Sequence, residues 1–324
     1  MALDFKNFLI KQKNFNKRLN KKCPICFSTK YKSLIFLEIP SFDQLFTYKF
    51  IRLASCNKCG HIYNILSKTE QKNILNFYTK EFISLSEGKT KNYVLEKRTD
   101  DCFKILKKHC NYSSKILDLG CGDGYMLKFL YKKGYKNLNG LDILPEKKKS
   151  KYCDRISGNI EKLPYKSSSF DLILLEQVFE HSVNPRKVLK EAFRVTKLNG
   201  KIVLGIPNAA KYSASQLFPF YMIIMKEHIQ HFDLQHIKML SRDLDAHVLE
   251  TKETTYPLRS MNMPCSNLYI VLQKKKSIKK KLKNKFLLRR KMAKYLKQSN
   301  NKLNFIAKKL SRIFKSWKQL LLNY

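Results

Sequence analysis

The spacing of apolar residues along the middle of the chain predicts alternating strands and helices. Residues 116–119 form a short, uninterrupted apolar run of the kind found in buried strands, and residues 138–143 form a second. Between them, residues 125–131 carry apolar side chains at helical spacing. Further strand-like runs follow at residues 247–251 and 267–272. The pattern therefore predicts an α/β domain.

A glycine-rich loop joins the first of these strands to its helix. It contains Gly120, Gly122 and Gly124, and glycine at such a turn lets the backbone approach a ligand with no Cβ between them. The amides at the start of the helix offer hydrogen-bond donors to that ligand. Asp142 lies in the second strand, about 20 residues further on, where a carboxylate can bond a ribose hydroxyl. The loop reads GxGxG, so it has neither the GxGxxG spacing of dinucleotide-binding proteins nor the Lys-Ser/Thr of a P-loop.

This combination resembles the class I methyltransferases, which bind S-adenosylmethionine. Four further segments are similar to the family in the same order. They look like the adenine-contacting segment at 157–165, the fourth strand at 170–175, the turn after it at 180–185, and the fifth strand with its exit at 198–208. The resemblance covers roughly residues 114 to 274. It implies a Rossmann-like α/β fold with a seven-stranded sheet, which the two later strand-like runs would complete.

The resemblance also implies a cofactor site. Asp118 and the loop glycines are expected at the methionine end of S-adenosylmethionine, and Asp142 on the ribose. Asn159 stands where the family often has an Asp that accepts the adenine amino group, and Asn still accepts through its carbonyl oxygen. Asp118 has a structural alternative, as a strand-end residue that bonds the loop amides. The expected cofactor residues are Asp118, Gly120, Gly122, Gly124, Asp142, Asn159, Ile160 and Glu176.

Three histidines are candidate catalytic residues. Transfer of a methyl group to an oxygen needs a general base, and histidine is the usual choice near neutral pH. His181 follows the fourth strand directly, while His228 and His231 belong to a Glu-His-x-x-His-Phe block that recurs in the resembled subfamily ahead of a helix, here 234–240. Both places lie beyond the carboxyl ends of strands, where open α/β sheets bind ligands. Each histidine has a structural alternative, as a hydrogen-bonding residue.

A magnesium site at the end of the fourth strand is not assigned. Some metal-dependent relatives in the superfamily carry Glu-x-x-Glu-His at this point. Here Gln177 stands where the first Glu would be, and Glu176 is one residue out of register.

Two CxxC pairs near the start of the chain predict a structural zinc site. Each pair, Cys23 with Cys26 and Cys56 with Cys59, places two thiolates on one side of a tight turn, and two such turns give the four-sulfur tetrahedron that zinc prefers. Strand-like segments at 33–39 and 47–53 predict a hairpin between the pairs, and thus a zinc ribbon. Unpaired buried thiols are the alternative. A redox role is disfavoured because no thioredoxin-like βαβ pattern surrounds either pair.

The ribbon resembles that of a bacterial methyltransferase subfamily, in which the second pair continues as CxxCG with an apolar segment after it. Gly60 and His61 begin the matching segment here. Four sulfurs already close the site, so His61 is expected to be structural rather than a ligand. Such proteins are often associated with modification of sugars and cell-surface polysaccharides. The resemblance thus implies a saccharide acceptor.

Composition favours a cytoplasmic location. No apolar run reaches the ~18 residues of a membrane span, and the first 20 residues carry charges throughout, unlike a secretory signal. The nine cysteines are an odd number, and four of them form the CxxC pairs, which favours metal binding in a reducing compartment.

The net charge of +40 is concentrated in part at the end of the chain. Residues 274–324 hold 19 Lys and Arg and no acid, and within 303–324 apolar residues recur at helical spacing. A basic amphipathic helix of this kind fits peripheral adsorption to an anionic membrane. Packing on the protein itself or on a second subunit, and RNA binding, remain alternatives. The remaining positive charge is diffuse, and nucleic-acid binding does not follow from charge alone.

The sequence therefore predicts a cytoplasmic S-adenosylmethionine-dependent methyltransferase that acts on a sugar or saccharide intermediate. The alternatives are an RNA methyltransferase and a non-catalytic zinc-ribbon binding protein with a methyltransferase-like domain. The predicted segments are a basic N-terminal segment (1–22), the zinc ribbon (23–66), a helical connector (67–113), the S-adenosylmethionine-binding domain (114–273) and the basic helical tail (274–324).

Overall fold

The computed structural model describes residues 22–38, 50–72, 74, 93–144, 150–211, 228–258 and 263–274. Apart from Lys22 and Lys274, the predictions for the basic N-terminal segment and the basic tail lie outside these residues. No helix in the described part of the chain is both long enough and apolar enough to cross a membrane.

The described strands and helices alternate along most of the chain. The strands are β1 (Tyr31–Glu38), β2 (Phe50–Cys56), β3 (Ile62–Asn64), β4 (Ile116–Leu119), β5 (Leu138–Asp142), β6 (Asp154–Ser157), β7 (Phe170–Glu176), β8 (Thr196–Pro207), β9 (Gln230–His231), β10 (Ala246–Leu258) and β11 (Met263–Lys274). The longer helices are α1 (Tyr93–Leu106), α2 (Tyr125–Lys132), α3 (Pro185–Val195) and α4 (Leu234–Arg242).

The larger sheet has seven strands in the order β10-β11-β8-β7-β4-β5-β6. Strands β4 to β8 run parallel, whereas β11 is antiparallel to both of its neighbours, β8 and β10. From β4 the chain moves outward through β5 and β6 and then returns to place β7 on the other side of β4. Ligands of open α/β sheets bind at such a switch point, beyond the carboxyl ends of the strands. This sheet confirms the predicted fold class.

Apolar clusters cover both faces of this sheet. All four residues of β4 are buried, as a parallel strand between two layers requires. On one face, Ile105 of α1 and Leu127 of α2 pack against the sheet. On the other face, Phe193 of α3 and Leu240 of α4 belong to one buried cluster. Such burial stabilises the sheet by about 25 cal/mol per Å² of apolar surface removed from water.

The smaller sheet contains the predicted hairpin and two short strands that the sequence did not predict, β3 and β9. Strands β1 and β2 pair antiparallel from Tyr31 with Cys56 to Glu38 with Phe50, close to the predicted segments. Strand β3 extends this sheet, and β9 completes the order β1-β2-β3-β9. Because β9 comes from the predicted methyltransferase segment, the two parts of the chain share a sheet.

Candidate active site and metal centre

The glycine loop after β4 adopts a backbone that only glycine takes without strain. Gly120, Gly122 and Gly124 have φ of 75°, 54° and 83°. The Gly120 amide donates to the Leu141 carbonyl of β5 at 2.7 Å, which anchors the loop to the neighbouring strand. A Cβ added at Gly122 or Gly124 would meet nothing within 4 Å. The space over the loop is therefore open to a ligand.

Asp142 stands at the carboxyl end of β5, facing this loop. Its Oδ2 accepts from the Gly122 amide at 2.7 Å, and its Oδ1 accepts from the Leu144 amide at 2.9 Å. Two backbone donors hold the carboxylate in one orientation. A carboxylate oxygen has further lone pairs, so a ribose hydroxyl can still donate to it.

Asp118 is buried at the carboxyl end of β4. Burial raises its pKa well above the usual range, and the charges of Glu176 and Asp142 raise it further. A cation bound beside these acids would offset the cost of ionising them. The ammonium and sulfonium groups of S-adenosylmethionine are such cations, so these three carboxyl groups fit the expected cofactor.

The remaining expected cofactor residues lie in different surroundings. Asn159 is exposed, and its Oδ1 accepts from the Glu161 amide at 2.8 Å. Ile160 is half-buried against the core. Glu176 accepts from Arg98 Nε at 3.3 Å and from the Tyr269 hydroxyl at 3.2 Å, and it leans over Gly205, where a Cβ would overlap its carboxylate. Glu176 therefore links three elements, β7, α1 and β11.

The structure brings two of the three candidate histidines into edge-to-face contact. The rings of His181 and His228 are 5.0 Å apart between centroids. Burial lowers the pKa of His228 well below its usual range, and the neighbouring His181 and His231 lower it further. Burial lowers the pKa of His231 to about 3. The rings of His228 and His231 are thus neutral at physiological pH, and a general base must be neutral to accept a proton.

Glu180 also belongs to this cluster, although it was not among the candidate site residues and was noted only as the second acid of the Glu-x-x-Glu-His pattern. It is buried, and its Oε1 lies 3.9 Å from His181 Nε2. Neither carboxylate oxygen has a hydrogen-bond partner among the described residues. Burial raises its pKa to about 8. Its place directly before His181 was the available signal, but nothing in the local sequence shows that the side chain is buried.

The cluster also has the spacing of a cation site. Glu180, His181 and His228 each offer one ligand atom, and these atoms lie within 4.8 Å of one another. Gln177 does not join them in the structure, since its Nε2 donates to the Gly205 carbonyl at 3.3 Å.

The four cysteines of the two CxxC pairs converge as predicted. Their sulfurs lie within 4.8 Å of one another, with Cys23 and Cys59 3.6 Å apart and Cys26 and Cys56 3.5 Å apart. A zinc ion with bonds of about 2.3 Å places tetrahedral sulfurs about 3.8 Å apart, so the cluster fits zinc. Hydrogen bonding to Cys23 lowers the pKa of Cys26 to about 7, toward the thiolate that binds metal.

The two turns that present these cysteines share one backbone design. The Phe27 amide donates to the Cys23 carbonyl and the Gly60 amide to the Cys56 carbonyl, both at 2.9 Å. The donor residue has positive φ in each turn, 60° at Phe27 and 80° at Gly60. The repeated geometry supports a single centre formed by two equivalent knuckles.

Comparison with known proteins agrees with this architecture. Residues 117–204 match the family model described as a methyltransferase domain. The chain is 32% identical over 154 residues to an uncharacterized protein of Methanocaldococcus jannaschii, a match that covers 46% of this chain and 66% of that one. It is 30% identical over 116 residues to the demethylmenaquinone methyltransferase of Thermotoga maritima, over 33% of this chain and 51% of that one. The chain spans about half the length of most curated relatives that it matches.

A solved structure with the same fold is the 1,6-didemethyltoxoflavin-N1-methyltransferase of Burkholderia thailandensis with bound S-adenosylhomocysteine. The TM-score is 0.51 at 12% sequence identity, over 66% of this chain and 95% of that one. The residues that match the methyltransferase domain contain the glycine loop and the parallel strands from β4 into β8 of the larger sheet. To this domain the chain adds the four-cysteine centre of the smaller sheet.

Proposed function

We propose that this protein transfers the methyl group of S-adenosylmethionine to a hydroxyl of a sugar or saccharide intermediate. The observation that carries the first part is the loop over which Gly122 and Gly124 leave open space, with Asp142 held beside it by the Gly122 amide. Asp118 lies next to this loop and would balance the positive charge of the cofactor.

The support for a hydroxylated acceptor is the polar character of the cluster beyond β7. Both oxygens of Glu180 and Nδ1 of His228 are buried without a hydrogen-bond partner among the described residues. Buried polar atoms are normally paired, so a ligand with several O–H groups would satisfy them. A flat apolar acceptor such as a quinone would leave them unpaired.

S-adenosylmethionine, when bound, would supply a methyl group on a sulfonium, and transfer of that methyl to the acceptor oxygen would release the neutral thioether S-adenosylhomocysteine. Because this is already a good leaving group, the protein's main contribution would be to position the acceptor and remove its proton. His228, neutral because it is buried, takes the hydroxyl proton. His181 lies against it and Glu180 against His181.

The cofactor part of this proposal is tested by calorimetry with S-adenosylhomocysteine. Asp142→Ala should weaken binding by about 1–3 kcal/mol, because the ribose loses its acceptor and the Gly122 amide loses its partner. Asp154→Ala, which removes an exposed carboxylate at the far end of the adjacent strand β6, is the matched control. Wild-type protein that shows no binding of S-adenosylhomocysteine at millimolar concentration would overturn the proposal.

The acceptor part is tested with methyl-labelled cofactor and deproteinised cell extract separated into glycan, small-molecule and RNA fractions. Label should enter saccharides, and His228→Ala should lower the rate on the order of 10²-fold or more while leaving affinity for S-adenosylhomocysteine unchanged. His109→Ala, at a histidine that pairs with Glu250, is the control. Label that enters RNA or quinones would refute the saccharide acceptor while leaving the cofactor assignment intact.

A further inference from the structure

The cysteine centre is joined to the candidate general base by a short path of backbone and side-chain bonds. Cys59 is followed within a few residues by β3, and β3 pairs with β9, where Ile62 faces His231 and Tyr63 faces Gln230. Just outside this pairing, Asn64 donates twice to the segment that precedes β9. Its amide reaches the Ile229 carbonyl at 2.8 Å, and its Nδ2 reaches the His228 carbonyl at 3.1 Å.

Gln230 extends this path to the other side of the histidine cluster. Its Oε1 accepts from His61 Nε2 at 2.8 Å, and its Nε2 donates to the Ser182 carbonyl at 3.1 Å. His61 directly follows the second knuckle, and Ser182 directly follows His181. One buried amide therefore connects the ribbon to the loop after β7. An amide oxygen can only accept a hydrogen bond, so this contact places a proton on His61 Nε2.

The contact between the ribbon and residues 228–236 is buried and includes residues of both knuckles. His61, Gln230 and His236 are each at most 3% exposed. His236 Nε2 lies 3.2 Å from the Cys59 carbonyl, which ties the first turn of α4 to a metal-ligand residue. Ile25 of the first knuckle shares one buried cluster with Phe232 and Leu240. Motion of the ribbon would thus be transmitted to residues 228–236.

We propose that the metal-bound ribbon is a positioning element of the active site, and that Gln230 and His61 are the positioning residues through which it keeps His228 against His181. This inference rests on the proposed function, because it takes His228 as the base. A zinc ion on the four cysteines would hold the two knuckles together and would leave no open position for chemistry. The cofactor site lies beyond β4 and β5, outside this path.

The first experiment measures hydrogen–deuterium exchange of the full chain by mass spectrometry, zinc-loaded and after removal of zinc with a chelator. Amides of residues 228–233 should exchange faster without zinc, while those of 116–124 and 138–142 keep their protection. Affinity for S-adenosylhomocysteine should be the same in both forms. Unchanged exchange at 228–233 in a protein shown to have lost its zinc would overturn the inference.

Removal of the metal can also unfold the ribbon itself, so a second experiment keeps the zinc and changes the bridge. Gln230→Leu should retain zinc and cofactor affinity, expose residues 228–233 to exchange, and lower the methyl-transfer rate at saturating cofactor by about tenfold or more, since small misplacements of a reacting group are costly. Gln273→Leu is the same substitution at a half-buried position of the larger sheet, where it removes the solvent-exposed bond from Gln273 Nε2 to the Asn199 carbonyl. It should leave zinc content, cofactor affinity, exchange at 228–233 and the methyl-transfer rate unchanged.

The two proposals fail in different ways. Wild-type protein without affinity for S-adenosylhomocysteine would refute the proposed function, whatever the exchange data show. Gln230→Leu with wild-type rate and wild-type exchange would refute the positioning role, even in a working methyltransferase. Loss of cofactor affinity in Gln230→Leu would also refute it, because the effect would then not be confined to the base.

Discussion

At the scale of single residues, Gly120 and Gly122 share a positive φ but differ in what surrounds them. A Cβ at Gly120 would overlap the side chain of Val178, the residue that leads from β7 into the histidine cluster. The same atom at Gly122 would meet open space. Gly120 is thus needed for packing as well as for conformation, whereas Gly122 is needed for conformation and for ligand approach.

This difference predicts unequal effects of two identical substitutions. Gly122→Ala should lower the free energy of unfolding by about 1–2 kcal/mol, the cost of a left-handed residue with a side chain. Gly120→Ala adds the clash with Val178 and should cost distinctly more, and Gly120→Ala/Val178→Ala should recover part of that excess. Urea denaturation of the wild type and the three variants measures these values. Equal destabilisation by the two alanines would contradict the close contact between the loop and Val178.

Glu180 gives a pH-dependence with a defined sign. Burial raises its pKa from the ordinary 4.5 to about 8, so between these values the folded state keeps a proton that the unfolded state loses. The free energy of unfolding should therefore fall as pH rises through this window, by at most about 1.4 kcal/mol per pH unit, and level off above it. Glu180→Gln should remove that slope.

The control for Glu180 has the opposite sign. A hydrogen bond from Lys108 lowers the pKa of Glu250, so its stabilisation is present above the ordinary Glu pKa and is lost as pH falls through the lowered value. Glu250→Gln should change the unfolding curve only in that acid range. A wild-type curve that Glu180→Gln leaves unaltered between pH 4.5 and 8 would show that Glu180 ionises normally.

At the scale of elements, the cysteine knuckles were predictable because their ligands are fixed by local spacing. Each CxxC turn closes within a few residues, and the structure repeats the same amide-to-carbonyl bond in both turns. Strand β9 was not predictable. It has two residues, and its partner β3 lies more than 160 positions earlier, so no period in the sequence marks it. The buried amide contacts of Gln230 follow from that pairing and were missed with it.

The knuckles predict a specific loss of metal. Freshly purified, reduced protein should contain one zinc per chain, and Cys23→Ser should release it and destabilise the smaller sheet, because binding energy of a structural zinc is folding energy. Cys110→Ser is the matched control, as this thiol lies outside the cluster and donates to the Leu106 carbonyl. Elemental analysis reports the zinc content. Zinc retained by Cys23→Ser and lost from Cys110→Ser would place the site elsewhere.

At the scale of the whole molecule, the hydrophobic pattern and the order of motifs were sufficient to predict the larger sheet but not the side chains that gather at its proposed acceptor site. Strands β4 and β5 are apolar runs with a glycine loop between them. The hydrophobic pattern therefore predicts both strands, and the resemblance implies the cofactor that is expected beside them. The acceptor side instead depends on burial of Glu180 and on the approach of His228 to His181, residues 47 positions apart. The pairing of β9 with β3 and the stacking of Phe232 on Phe179 hold that segment at the end of β7.

The positive charge of the molecule predicts adsorption to an anionic surface. Strand β11 runs through Lys274, which pairs with Ala246, so a truncation that spares the sheet must end after residue 274. We propose that the basic segment beyond it adsorbs to anionic membranes. Full-length protein should sediment with vesicles of anionic lipid and not with neutral vesicles, and added salt should weaken this binding.

The chain cut after Lys274 should lose vesicle binding and keep its affinity for S-adenosylhomocysteine, because the cofactor residues lie within the sheet. A full-length variant with Trp317, Leu320 and Leu321 changed to Ser keeps every charge and removes apolar side chains from the helical pattern. If this segment forms the helix that its sequence predicts and inserts an apolar face, this variant should bind vesicles far more weakly than wild type, since buried apolar area adds to charge attraction. Vesicle binding that survives the truncation would assign adsorption to the rest of the chain, and selective retention of RNA by the full-length protein would replace the membrane with a nucleic-acid partner.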